Sequence, residues 1–172
     1  MKSSAFAKSI LFAVILVITQ LATTKEVKAQ NRCQEAIDGV RSDIQVRIGA
    51  VIAHTKRAST AEWRGDRDYM QTYKSPFNNA DEIVVFYLTS DMERGSITRK
   101  QGQAAENIMN SSQLTRKYAQ QIISACEPVA SVKFSYWEWM KGWSLHSNNE
   151  LVEDKCKNPD RSNFYWGENV CV

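Results

Sequence analysis

The sequence predicts an α+β domain in which helices cover one face of a mainly antiparallel sheet, and three patterns carry that expectation. Apolar residues recur at helical spacing after residue 33, a continuous β-branched and aromatic run fills 83–88, and from Val129 the hydrophobic period drops to two. Helix, strand, helices and then a meander is the order of an α+β fold, and neither an internal repeat nor a linker interrupts it.

Cys33, Ile37, Val40, Ile44, Ile48 and Val51 follow one another at steps of three or four, which lays one apolar stripe along a helix of about five turns. Gly39 and Gly49 each weaken it by about 1 kcal/mol, and the β-branched stretch from Ile44 to Ile52 offers a strand as the alternative for its second half. The sequence Ser59-Thr60-Ala61-Glu62 has the form of a capping box and predicts a short helix carrying Trp63, Met70 and Tyr73. Turn residues at 74–79 then lead into Ile83-Val84-Val85-Phe86-Tyr87-Leu88, expected to be a central strand buried on both faces.

Asp91 to Gly95 turns the chain, and Thr98 with Gln101 predicts a capped helix start. Asn110-Ser111-Ser112 interrupts the helix before Leu114, Tyr118, Ile122 and Cys126 resume at steps of four, and Pro128 ends the helical region. Beyond it, Val132, Phe134, Tyr136 and Met140 are expected on one face of a strand, with Lys133, Ser135, Trp137, Trp139 and Lys141 on the other. Gly142 breaks this run. Trp143-Ser144-Leu145 and Leu151 to Cys156 read as two arms of a hairpin around Ser147-Asn148-Asn149, and Trp166 to Val172 supplies a final edge strand.

At 172 residues, 43% hydrophobic and 24% charged, the chain is long enough to bury a core and is neither disordered nor of low complexity. Residues 1–29 have the three parts of a secretory signal: Lys2 and Lys8, the apolar run from Ile10 to Ile18, and a polar stretch ending in Val27-Lys28-Ala29, where cleavage is expected. Nine apolar residues fall short of the roughly 20 that span a hydrocarbon core, and no other stretch could span one. Residues 30–172 then form a single domain. The net charge of +3 belongs to the leader, whose four lysines and one glutamate leave 18 basic and 18 acidic side chains in 30–172. A neutral domain has no overall attraction for phosphate backbones or anionic membranes, so a nucleic-acid partner is not expected.

The four cysteines, Cys33, Cys126, Cys156 and Cys171, all follow the leader, and an even count after a secretory signal predicts two disulfides. Of three possible pairings, Cys33 with Cys126 and Cys156 with Cys171 is favoured. The first ties the start of one helix to the end of another. The second closes a short tail loop worth about 3 kcal/mol on loop entropy. No paired-ligand spacing predicts zinc, no Cys-x-x-Cys predicts a redox thiol, and no cofactor motif is present.

Glu106-Asn107-Ile108-Met109-Asn110-Ser111-Ser112-Gln113-Leu114, then Gln121 to Cys126 leading into Val129 to Phe134, with Trp166-Gly167 and Cys171 at the end, resembles a group of small secreted cyanobacterial proteins of unknown function. The likeness covers the C-terminal half. It implies a bacterial envelope or extracellular setting and carries over no catalytic residue.

The most unusual local feature is Tyr136-Trp137-Glu138-Trp139 with Trp143 close behind. On a strand, Trp137 and Trp139 would stand about 7 Å apart on one face, rimmed by Lys133 and Lys141. Flat aromatic platforms beside hydrogen-bonding groups suit sugar rings and also anchor protein interfaces. Trp137, Trp139, Trp143, Lys133 and Lys141 are therefore the candidate binding residues of an exported binding protein whose partner is an envelope glycan or another protein. The competing class is a small secreted hydrolase, most plausibly a nuclease, with His146 acting beside Glu150 or Glu138; His54, near Lys56 and Arg57 late in the first helix, is a second candidate acid or base. No Gly-x-Ser-x-Gly elbow, phosphate loop or His-Glu-x-x-His occurs, and no residue is assigned a catalytic role.

Overall fold

In the computed structural model, which describes residues 27–49, 54–59, 75–77, 79–88, 98–137, 139–157 and 165–170, the first element is a helix, α1, over 27–48. Cys33, Ile37, Val40, Ile44 and Ile48 are all buried, as their spacing requires. The helix carries on through the β-branched stretch, because burial of that stripe outweighs the few tenths of a kcal/mol per residue that propensity would recover as a strand. It stops at Gly49, which takes φ 68° and donates its N–H to the Gln45 carbonyl at 2.9 Å. Glycine adopts this left-handed cap without a Cβ penalty.

Strand β1, His54–Ser59, pairs antiparallel with β2, Glu82–Tyr87. His54 thus opens a strand instead of lying late in the first helix, since Gly49 has already ended that helix. Ser59 closes the same strand; Val51 and the short helix expected after residue 60 lie outside the described residues. In β1 only Ala58 of the apolar residues is buried, so this edge strand shows no alternating pattern. Arg57 donates to the Glu82 carboxylate across the pair. Ile83, Val84, Val85 and Phe86 of β2 are wholly buried, which is the two-sided strand expected from the apolar run.

Two helices connect β2 to the strand parallel to it. Helix α2, Arg99–Asn110, starts at a capping box in which the Gln101 N–H donates to the Thr98 hydroxyl and the Thr98 N–H donates to the Gln101 side chain. Ser111 ends α2 and caps α3, Ser112–Ala125, its hydroxyl accepting from the Leu114 N–H. The break predicted at 110–112 is this shared cap. Cys126, at the end of α3, is bonded to Cys33 on α1 across 93 positions of sequence. Cys156 is also oxidised; its expected partner, Cys171, lies outside the described residues.

Strand β3, Val129–Tyr136, runs parallel to β2, and β4, Trp139–Leu145, and β5, Leu151–Glu153, complete an antiparallel meander. The five-stranded sheet has the order β1-β2-β3-β4-β5, mainly antiparallel, with the three helices packed on one face. Val84, Phe86, Val132 and Phe134 meet α1 to α3 there, with the Phe86 and Phe134 rings stacked at 5.6 Å. A short parallel ribbon of β6, Lys155–Lys157, and β7, Glu168–Val170, follows. The Lys133 ammonium lies 3.4 Å from the Glu168 carbonyl, which places the ribbon against the other face.

Helix packing is sealed by a polar contact between α1 and α3. The Tyr118 hydroxyl donates to the Asp43 carboxylate, which also accepts from Arg47 at 3.0 Å. The Tyr118 hydrogen bond holds the Asp43 carboxyl below its ordinary range, with Arg47 assisting. Burial, and then the adjacent carboxylate, push the Tyr118 phenol well above its ordinary value.

Candidate functional site

Antiparallel pairing of Tyr136 with Trp139 reverses the chain between β3 and β4, with Trp137 in the turn. The continuous strand expected through Trp137 and Trp139 is therefore folded into a hairpin, and the face assignment changes with it. Residues paired across an antiparallel ladder share a face. Phe134 faces with Lys141 and Val132 with Trp143, towards the helices, while Lys133 pairs with Gly142 on the opposite face. Lys133 and Lys141 thus lie on different sides of the sheet. Each arm keeps a period of two, but the turn inverts its phase, so even-numbered residues of β3 share a face with odd-numbered residues of β4.

Trp137 occupies the turn with φ 54°, a left-handed conformation that costs a non-glycine residue about 1–2 kcal/mol. Its side chain is 71% exposed, and its ring meets the Tyr136 ring edge-on, 6.4 Å away. Trp139 beside it is 37% exposed. Two indoles consequently stand at one end of the sheet, on a rigid hairpin whose preceding strand is buried along its whole length.

Between this turn and the first turns of α2 lies a cleft of about 320 Å³. Arg99, Gly102, Gln103 and Glu106 of α2 form one wall, and Tyr136 and Trp137 the other. Gln103 donates to Glu106 at 3.3 Å, while Arg99 has no acidic group within ion-pair distance among the described residues. The capping box fixes where α2 begins, and hence where Arg99 and Gly102 stand relative to the hairpin. Sequence reasoning missed this wall. The available signal was Gly102 inside a helix, where glycine costs about 1 kcal/mol against alanine.

The other candidate residues are committed to structure. Trp143 is 5% exposed beneath α3; its indole N–H donates to the Thr115 hydroxyl at 3.1 Å, and the Arg116 guanidinium lies 5.6 Å from the ring centre. The Lys141 ammonium donates to the Met109 carbonyl and the Ser112 hydroxyl and pairs with Glu153, so it pins the α2–α3 junction to the meander. Lys133 is buried against Asp154, 3.1 Å away. Of the five candidate binding residues, only Trp137 and Trp139 are exposed.

His146 begins the β4–β5 turn, its N–H donating to the Glu150 carbonyl. Its ring lies over Gly167, where an added Cβ would be 3.2 Å from Nε2. The Glu150 carboxylate accepts from the Asn148 amide at 3.1 Å. No hydrogen bond joins the His146 ring to Glu150 among the described residues, and Glu138 lies outside them. No cluster of three metal-ligating side chains and no helix long and apolar enough to cross a membrane occurs among the described residues.

Neither a protein-family model, a curated protein nor a solved structure matches the chain.

Proposed function

We propose that this is an exported, disulfide-stabilised binding protein of the cell envelope or extracellular space, and that it holds its partner against the aromatic hairpin turn at Trp137 and Trp139. The observation that carries the reading is Trp137 itself. A large apolar side chain is displayed to solvent at a backbone position where asparagine or glycine would be cheaper, and burial does not compensate for the strain. Exposed aromatic residues on a rigid scaffold lose little conformational entropy on binding, which is why they dominate recognition surfaces. The secretory form of residues 1–29 and the oxidised cysteines support export.

A thermal-shift screen of the oxidised protein against envelope glycans, peptidoglycan fragments and peptides tests this, with the Trp137→Ala/Trp139→Ala double variant as control. A ligand at 100 times its Kd is expected to stabilise the parent by about 2.7 kcal/mol, and the shift should vanish in the double variant. The variant's own midpoint should stay within a few degrees of the parent's, because neither indole fills the core. A double variant that melts far below the parent, or one that keeps the ligand shift, would remove the turn from the binding surface.

A further inference from the structure

We infer that the cleft beside Trp137 is a saccharide subsite, in which Gly102 lets the Tyr136 hydroxyl reach the cleft wall and a sugar ring stacks on Trp137 between Arg99 and Glu106. This rests on the reading of the Trp137 turn as a binding surface and adds the ligand's class. Tyr136 is 9% exposed and its ring belongs to the core. Its hydroxyl makes no hydrogen bond among the described residues and is not sealed from solvent, so it opens onto the cleft. Phenylalanine would fill the core equally well, so what the hydroxyl adds is a polar group in the cleft wall.

Gly102 brings the hydroxyl to the cleft wall. A Cβ at this position would lie 3.0 Å from the Tyr136 hydroxyl oxygen, closer than ordinary van der Waals contact, so the hydroxyl packs on the helix at Gly102 and any side chain there would push it from its place. Gly102 has no left-handed φ that would demand glycine. The helix therefore tolerates a poor helix former where the Tyr136 hydroxyl has to come close.

The groups around the cleft define the ligand. Arg99 can only donate, the Glu106 carboxylate can only accept, and the Tyr136 hydroxyl can do either. A sugar hydroxyl both donates and accepts, so neighbouring hydroxyls on one ring satisfy all three, while the C–H face of that ring covers the indole. A purely anionic ligand would meet Glu106 and a purely cationic one Arg99, whereas an uncharged polyol offends neither. The cleft volume of about 320 Å³ is at the small end of ligand pockets and suits one or two sugar units.

Isothermal titration of the oxidised protein with glucose, galactose, mannose, N-acetylglucosamine and their disaccharides, at millimolar concentration, tests the assignment. At least one of these is expected to bind. Tyr136→Phe should weaken it about threefold to tenfold, the loss of one hydrogen bond, and Gly102→Ala by about tenfold or more. Gly102→Ala should do so without a large fall in the thermal midpoint, since the better helix propensity of alanine offsets the few tenths of an ångström by which the hydroxyl must give, and Tyr136→Phe keeps the ring in place should the glycine variant fold poorly. Parent affinity in both variants would place the sugar elsewhere and overturn the assignment. If no saccharide binds but a peptide does, and Trp137→Ala abolishes that binding, the saccharide class fails while the turn remains a binding surface. If whatever binds is indifferent to Trp137→Ala, both readings fall.

Discussion

Replacing Cys33 and Cys126 together by alanine is expected to lower the unfolding free energy by about 4–5 kcal/mol, because the bridge closes a loop of 93 positions and most of its effect lies in the denatured chain. It fixes the start of α1 to the end of α3, the contact on which the helical layer closes, and both sulfurs are buried, so the substitution also removes apolar packing. For a domain whose total stability is of order 5–15 kcal/mol, that loss leaves a marginal fold. Urea unfolding followed by circular dichroism checks it. The double variant should show a strongly lowered midpoint with native helix content in the absence of urea. A loss below about 1 kcal/mol would mean that the reduced denatured chain is already compact in this region.

Lys133→Met is expected to cost about 3–5 kcal/mol, comparable to the disulfide although it deletes a single surface-type residue. The Lys133 and Asp154 side chains are 2% and 0% exposed, and the carboxylate is otherwise orphaned: neither oxygen has a hydrogen-bond donor in line among the described residues. Removing the ammonium strands that charge beneath the β6–β7 ribbon. The double variant Lys133→Met/Asp154→Leu should recover most of the loss, since two apolar side chains of similar volume avoid the desolvation cost entirely. A double-mutant cycle by denaturant unfolding separates the pair's coupling from the penalty of an unpaired charge. If Lys133→Met costs less than about 1 kcal/mol, water reaches Asp154 and the ribbon does not seal this face.

What was legible in the sequence follows from how local each determinant is. The α1 stripe, the Thr98 capping box, the Ser111 break, the buried run at 83–86 and the β4–β5 hairpin are all set by residues within a few positions of one another, and each is present, although Gly142 lies inside β4 instead of breaking it and the hairpin's second arm ends at Glu153, with 155–157 joining the β6–β7 ribbon. The Cys33–Cys126 bridge was legible because the compartment implies pairing and the two helices give the sulfurs a meeting place. Strand β1 was not legible, since an edge strand that buries little beyond Ala58 carries no apolar alternation. The tight turn at Trp137 was concealed by tryptophan standing where asparagine or glycine signals a turn. That one substitution of type misplaced Trp139 and Lys141, because the strand's register decides the face of every residue after it; Lys133, before the turn, lies on the expected face but is buried there against Asp154. Lys133 also shows that a lysine between apolar neighbours can belong to a buried pair whose partner, Asp154, is far away in sequence.

The same anomaly gives the most direct test of the binding surface. Trp137→Asn replaces the indole by a residue that accepts left-handed φ readily, so strain relief offsets the lost edge contact with Tyr136. Measuring its thermal midpoint together with its affinity for the best ligand of the parent decides the matter. A variant that unfolds at the parent's temperature or above, yet binds more than about tenfold more weakly, is the result expected of a residue kept for contact at the expense of stability. A variant that unfolds well below the parent while retaining full affinity would show that Trp137 serves the fold and that the partner is held elsewhere.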